Sequence, residues 1–440
     1  MSLIMTTIAA LIFTTVWAVK KQKSKISSKS LITASLMFWS AAIMWSIDGI
    51  ANIIDKKPFF DISLSDSLLG LIIVAAGVLL FLLFYFYEQR QKGSKNNKKG
   101  LSTIAIVLTI LLISTASIAC KKSSSTPKQV ANNTTNIEQT LPHQTTNSDA
   151  PVVYFIKDIT PESLVKVFEA TKWEAKGKVG VKISTGEPPA SNYLRPELIK
   201  ELVQKLNGTI VESNTAYGGK RASVAMHKEV AKEHGFTQIA PFDLQDEEGS
   251  MEISVRNPKN IKVNYVGTHF KNYDSYLVLS HFKGHAMAGF GGAIKNLSIG
   301  FSSGAHTNIS GKVYIHSAGK RVKGSIMGDQ TGFLESMAEA AQAVCDYMDN
   351  GKNIVFVNVL NRLSVDCDCD GNAAEPDMHD IGILASTDPL AIDQAAIDLV
   401  YAAPDSKSLQ ARIESRNGLH TLDYAQEIQL GSRYYQLVRM

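Results

Sequence analysis

Cysteine is scarce in this chain. There are four in 440 residues, and only Cys345, Cys367 and Cys369 lie beyond residue 150. An odd number in so long a segment excludes a disulfide framework. Internal repeats are missing, and so is the glycine spacing of a nucleotide-binding fingerprint. A basic excess is missing where it would matter. Residues 1–125 hold 14 Lys/Arg against 5 Asp/Glu, whereas the rest hold 31 against 36. The downstream part is slightly acidic, so nucleic acid is not an expected partner.

Residues 1–120 are apolar instead. Four stretches, 3–19, 31–54, 68–87 and 101–119, approach the roughly 20 residues needed to cross a bilayer core. Lys20, Lys21, Lys23, Lys25 and Lys29 follow the first stretch, and Arg90, Lys92, Lys95, Lys98 and Lys99 follow the third. Basic loops stay on the cytoplasmic side, so this alternation predicts four transmembrane helices, with the lipid bilayer as a partner and everything after residue 120 outside the cytoplasm. "SIAC" ending at Cys120 also has the layout of a bacterial lipoprotein box, a second route to the membrane. The expected localisation is therefore a bacterial cell membrane, with the C-terminal part on the periplasmic side. Residues 121–150 are Ser, Thr, Asn, Gln and Pro with few large apolar residues, the composition of a flexible linker.

From residue 151 to 440 the pattern is that of an α/β domain with a mainly parallel or mixed sheet and covering helices. Strands are expected at 178–184, 209–213, 275–280, 353–360 and 381–386. Helices are expected at 195–208, 223–235, 333–348 and 388–403, several opened by Pro or Asp and closed by Gly. "KVYIHS", carrying His316, reads as a strand.

Three polar clusters carry the chemistry. The first, "SHFKGHAMAGFGGAIKNLSIGFSSGAHT", follows a strand and sets His281, Lys283, His285, Lys295, Asn296 and His306 among glycines. Backbone N–H groups and lysines in such a loop suit a small anionic ligand. The second is "VDCDCDG", residues 365–371. If extended, it points Cys367 and Cys369 to one face, where two thiolates can ligate a soft transition metal once His281, His285, His306 or His316 completes the site. Its aspartates, with Asp377, also match much of a calcium loop, and an acidic turn without any ligand is a third reading. The third cluster ends two early strands, with Lys182, Ser184 and Thr185 on one and Glu212–Asn214 on the next. Cys345 reads as a core residue.

Together "VGVKIS", "HFKGHAMAGFGGAIKNLSIGF", "SGKVYIHS", "VDCDCDG" and "DIGILASTDPLAIDQAAIDL" resemble the domain-of-unknown-function 362 family, in its branch of uncharacterised iron–sulfur-centre proteins, over roughly residues 152–436. The resemblance implies a site made from His281, Lys283, His285, Lys295, Asn296, His316, Cys367 and Cys369, and no established reaction. That branch carries a ferredoxin-like insert of four-cysteine runs before the next helix. Here "VYIHSAGKRVKGSIMGDQTGFLESM" passes without a cysteine, and three thiols cannot hold a standard four-cysteine cluster. The expectation is a metal or anion site, with lysines at 182, 283 and 295 and Asn296 on the anion, and redox or metal-assisted chemistry. The alternative is a binding or scaffold module without catalysis.

Overall fold

The computed structural model describes residues 2–24, 29–54, parts of 73–85, 140–324 and 328–440. The described chain divides into two units, one before and one after about residue 134. In the first, α1 (Ser2–Ser24) packs with α2 (Lys29–Ile54). Phe13 stacks on Phe38 at 5.4 Å and meets Phe81 edge-on at 5.0 Å. Thr14 and Ser35 share a 2.6 Å hydrogen bond, and the Trp39 indole donates to Thr14.

The four-span expectation is corrected here. Among the described residues no helix is long and apolar enough to cross a membrane. The apolar stretches were recognised by freedom from charge, but charge is only part of hydropathy. The helix that begins at Ser2 also carries Thr6, Thr7, Thr14, Thr15, Lys20, Lys21 and Lys23, and the next carries Ser30, Ser35, Ser40, Ser46 and Asp48. Membrane anchoring, and the periplasmic placement that followed from it, lose their support. Most of the stretch at 68–87, the whole of 101–119 and Cys120 lie outside the described residues, as does most of the expected linker. Its last residues are described. Leu141 is buried, and the backbone and ring of His143 meet Asp398, with Nδ1 3.0 Å from the carboxylate.

Among its described residues the second unit has twelve strands: β1 (Val152–Ile156), β2 (Val179–Lys182), β3 (Thr209–Glu212), β4 (Phe242–Leu244), β5 (Ser250–Ser254), β6 (Val263–Gly267), β7 (Ser275–His281), β8 (Lys283–His285), β9 (Gly289–Gly291), β10 (Ile354–Leu360), β11 (Gly382–Ser386) and β12 (Gln436–Arg439). Eight form one sheet in the order β12-β1-β11-β10-β7-β2-β3-β4. Only β11 runs against its neighbours; the other pairings are parallel. The α/β expectation with a mainly parallel sheet fits.

The central strands β7 and β10 are buried along their full length, as a strand covered on both faces must be. Alternation then sorts their side chains. Tyr276, Val278 and Phe356 enter one apolar core, Leu277, Leu279, Val355 and Val357 the other. The second core is closed by α3 (Pro161–Ala170) and α4 (Pro196–Lys205). The strand β3 leads to α5 (Val224–Glu233). The first core is closed by α7 (Gln330–Tyr347) and α8 (Pro389–Ala402). The caps are those the sequence offers. Thr160 accepts the Ser163 N–H, and Asp388 accepts those of Leu390 and Ala391.

Two local readings differ. "KVYIH" is not a strand but α6 (Gly311–His316), capped by the Ser310 hydroxyl on the Val313 N–H. Five residues with two β-branched positions carry too little periodicity to decide, and the cap decides instead. "VDCDCDG" is not extended. Asp370 N–H donates to the Cys367 carbonyl at 2.9 Å and Cys369 N–H to Cys367 Sγ at 3.3 Å, which closes a turn. Aspartate and glycine favour turns through local side-chain hydrogen bonds.

Candidate functional site

Because β2, β3, β7 and β10 are parallel, their C-terminal ends lie along one edge of the sheet, where ligand sites of open α/β sheets form. The loops leaving them enclose a cavity of about 540 Å³. Lys182, Arg221, Lys283, Lys295 and Lys312 supply its positive charge and Glu187, Glu212, Asp366 and Asp370 its negative charge, while His285, His316, Cys367 and Cys369 add to the polar wall.

One wall is an ion network. Lys182 ends β2 and donates to Glu212 Oε1, the end of β3, at 2.9 Å. Arg221 Nη1 stands 3.6 Å from Glu212 Oε2, while its Nε donates to Glu187 at 3.1 Å. Burial pushes the Glu212 carboxyl up, but Lys182, His227 and Arg221 outweigh it and hold it at about 2. Asn296 donates to Ser280 Oγ at 3.1 Å and, at longer range, to the carbonyls of Lys182 and Leu279. It ties the ends of β2 and β7 together.

A second wall is the turn at 365–371, joined to the first by the Glu187 N–H donating to the Asp368 carbonyl at 2.7 Å. Asp368 points inward and is wholly buried. His281 Nδ1 lies 2.8 Å from one of its oxygens and Lys283 Nζ 2.8 Å from the other. His281 Nε2 faces the carbonyl of Asn361 at 2.6 Å. Both ring nitrogens thus face acceptors, which leaves no lone pair for a metal. Burial opposes the charge of Asp368, but His281 and Lys283 hold its carboxyl far below the usual range. Gly284 fixes this wall to the loop before it: its N–H donates to the Ser364 carbonyl, and an added Cβ would meet the carbonyl oxygen of Val365 at 2.2 Å.

Cys367 and Cys369 both face the cavity. His285 joins them, the three ligand atoms lying within 4.8 Å of one another. A hydrogen bond from Cys369 holds the Cys367 thiol well below its ordinary range against the effect of burial, with Lys295 and His285 adding to it. Cys369 keeps the proton. Lys295 Nζ stands 4.0 Å from Cys367 Sγ. His285 Nδ1 accepts the N–H groups of Met287 and Ala288, so the neutral ring carries its proton on Nε2.

The other expected residues fall elsewhere. His316 borders the cavity, donating from Nδ1 to the Lys312 carbonyl and stacking on Phe333. His306 does not line it, and its Nε2 bonds the carbonyl of Asp246. The aspartates of the calcium reading diverge: Asp366 meets Arg412, Asp368 turns inward and Asp377 accepts from Ser408. Cys345 is a core thiol pushed up by burial.

Glu187, Arg221, Lys312 and the inward role of Asp368 were not expected. The glycine pair before Lys220 in a strand-exit loop marks the Arg221 segment. Lys312 stands four residues before His316, adjacent across one turn of a helix but about 13 Å apart along a strand.

Lys295 itself is placed by Asp393. That buried carboxylate caps the short turn Ala293–Lys295 by accepting the N–H groups of Ala293 and Ile294, and it accepts a third bond from Asn358. Asp393→Asn turns an amide towards these donors. It is expected to cost about 1–3 kcal/mol in urea unfolding, the range for orphaned buried donors.

A family model described as "Domain of unknown function (DUF362)" matches residues 179–398. No curated protein matches the chain. Among solved structures, the lactate racemase apoprotein of Thermoanaerobacterium thermosaccharolyticum is similar at 15% identity and a TM-score of 0.30, over 47% of this chain and 50% of that one. A Thermotoga maritima protein is similar at 11% identity and a TM-score of 0.33, over 58% of each chain. The chain thus spans half the length of the first and 58% of the second.

Proposed function

The chain belongs to the domain-of-unknown-function 362 family, whose description names no reaction, and from the cavity itself we propose that it binds a small anion beside a soft metal ion held by His285, Cys367 and Cys369. The convergence of two thiols and an imidazole within 4.8 Å carries this reading. A tetrahedral site with metal–sulfur bonds of ~2.3 Å needs neighbouring sulfurs about 3.8 Å apart, so small side-chain rotations suffice. Three protein ligands leave a fourth position open to a substrate or water, the arrangement of catalytic rather than structural centres. The low Cys367 thiol supplies the deprotonated ligand that a metal needs. Lys295, with no carboxylate within ion-pair reach among the described residues, favours an anion on the same wall.

One observation favours a metal-free reading of the same residues. Metal-binding histidines usually donate from their second nitrogen, whereas Nδ1 of His285 accepts two backbone N–H groups. A ring with its proton on Nε2 can donate to the Cys367 thiolate, which makes Cys367 a nucleophile or one half of a redox pair.

Cobalt titration of the reduced, anaerobic protein separates the two. One Co²⁺ per chain with a sulfur-to-cobalt charge-transfer band is the expected result. Cys367→Ser/Cys369→Ser is expected to weaken binding by more than the roughly 10–100-fold that loss of an outer-shell partner costs. No cobalt binding, with selective alkylation of Cys367 near neutral pH, would select the thiolate reading.

A further inference from the structure

Lys312 differs from the other lysines of the cavity. Lys182 is paired with Glu212 and Lys283 with Asp368, each within 3 Å, and Lys295 faces a thiol. Lys312 is 6% exposed, and its amine makes one hydrogen bond, to the Ser302 carbonyl at 2.5 Å. Among the described residues no carboxylate lies within ion-pairing distance of it. Its origin is fixed. Ser310 caps α6, and Gly311 packs so closely that an added Cβ would meet the Tyr265 carbonyl oxygen at 2.0 Å. The side chain therefore enters the cavity from a rigid first turn. Burial brings its amine down to about 7, with Asp246 and Glu212 opposing the shift and Lys182 and Arg221 adding to it. Lys295 and His316 line the same cavity as Lys312.

We infer that Lys312 is an amine nucleophile that forms an imine with the carbonyl of a small 2-oxo acid, whose carboxylate sits against Lys295. A buried lysine without a partner carboxylate can present the free amine that such chemistry requires. In the step, Nζ attacks the carbonyl carbon, a C–N bond forms and the C–O bond breaks. The oxygen leaves as water with the two hydrogens of the amine, so nothing is oxidised or reduced. The inference rests on the anion-binding cavity proposed above but not on its metal.

The test is reductive trapping on the full chain with pyruvate and cyanoborohydride, read by intact mass and peptide mapping. One adduct per chain, mapped to Lys312, is expected, and it is lost in Lys312→Met. Acetone, which offers the carbonyl without the carboxylate, is expected to give none at the same concentration, and Lys295→Met to reduce the yield with pyruvate. No adduct on the wild-type protein, or adducts scattered over exposed lysines, overturns the inference. Mapping on the wild-type chain decides this even if Lys312→Met fails to fold. Because the cobalt titration reads the thiols and the trapping reads Lys312, failure of the metal reading and failure of the imine are separately visible.

Discussion

Asp368→Ala is expected to destabilise the domain by about 3–5 kcal/mol, the range for removing one partner of a buried ion pair. The effect exceeds that of an ordinary surface pair because two buried side chains, not one, lose their acceptor. His281 and Lys283 each stand 2.8 Å from the carboxylate, and all three side chains are buried. Neither His281 nor Lys283 has a second carboxylate within ion-pairing distance among the described residues. Urea unfolding of the variant beside the wild type measures it. A loss below about 1 kcal/mol would mean that water reaches the triad, since exposed pairs are worth no more than that. The pH dependence has a definite sign. The folded carboxyl is depressed, so its stabilisation is complete above the ordinary aspartate value of about 3.9 and fades only as pH falls below it.

Glu212→Gln is the second large effect. Glu212 accepts from Lys182 at 2.9 Å, from the Thr185 N–H at 3.1 Å and from the Ser213 N–H at 3.3 Å, and it faces Arg221. The amide keeps the shape and loses the charge between two buried cations. Holding the carboxyl at about 2 against an ordinary 4.5 corresponds to about 3 kcal/mol. That contribution is complete above pH 4.5 and lost as pH falls from there towards 2. A plot of stability against pH should therefore fall through this window in the wild type and run flatter in Glu212→Gln. Parallel curves for the two proteins would show that the charge of Glu212 does not act on folding.

Much of the domain was legible because its elements are long and strongly patterned. The buried runs at 275–281 and 354–360, and the Asp-Pro opening at 388, leave few alternatives. Of the site, the segments were legible but not their pairings. Lys283 read as an anion-binding cation, yet it meets Asp368, a partner 85 positions away that no local pattern announces. His281 and His285 stand on the same segment and read alike. Only the tertiary acceptors of the first and the backbone donors of the second distinguish them. The short helix at 311–316 failed for the opposite reason: it is too brief for periodicity to outweigh β-branched residues. The N-terminal expectation rested on apolar runs alone, and among the described residues no helix is long and apolar enough to cross a membrane.

The contact between Gly284 and the carbonyl of Val365 also bears on how the molecule assembles. Two segments about 80 residues apart must bring backbone against backbone before either thiol faces the lysines. Closing so long a loop carries an entropic cost that local hydrogen bonds do not offset, so such contacts form late in folding. The thiol wall therefore cannot form until these two segments have met. Any species that has passed the sheet but not this closure would hold Cys367 and Cys369 away from His285, and so lack the convergence on which soft-ligand binding depends.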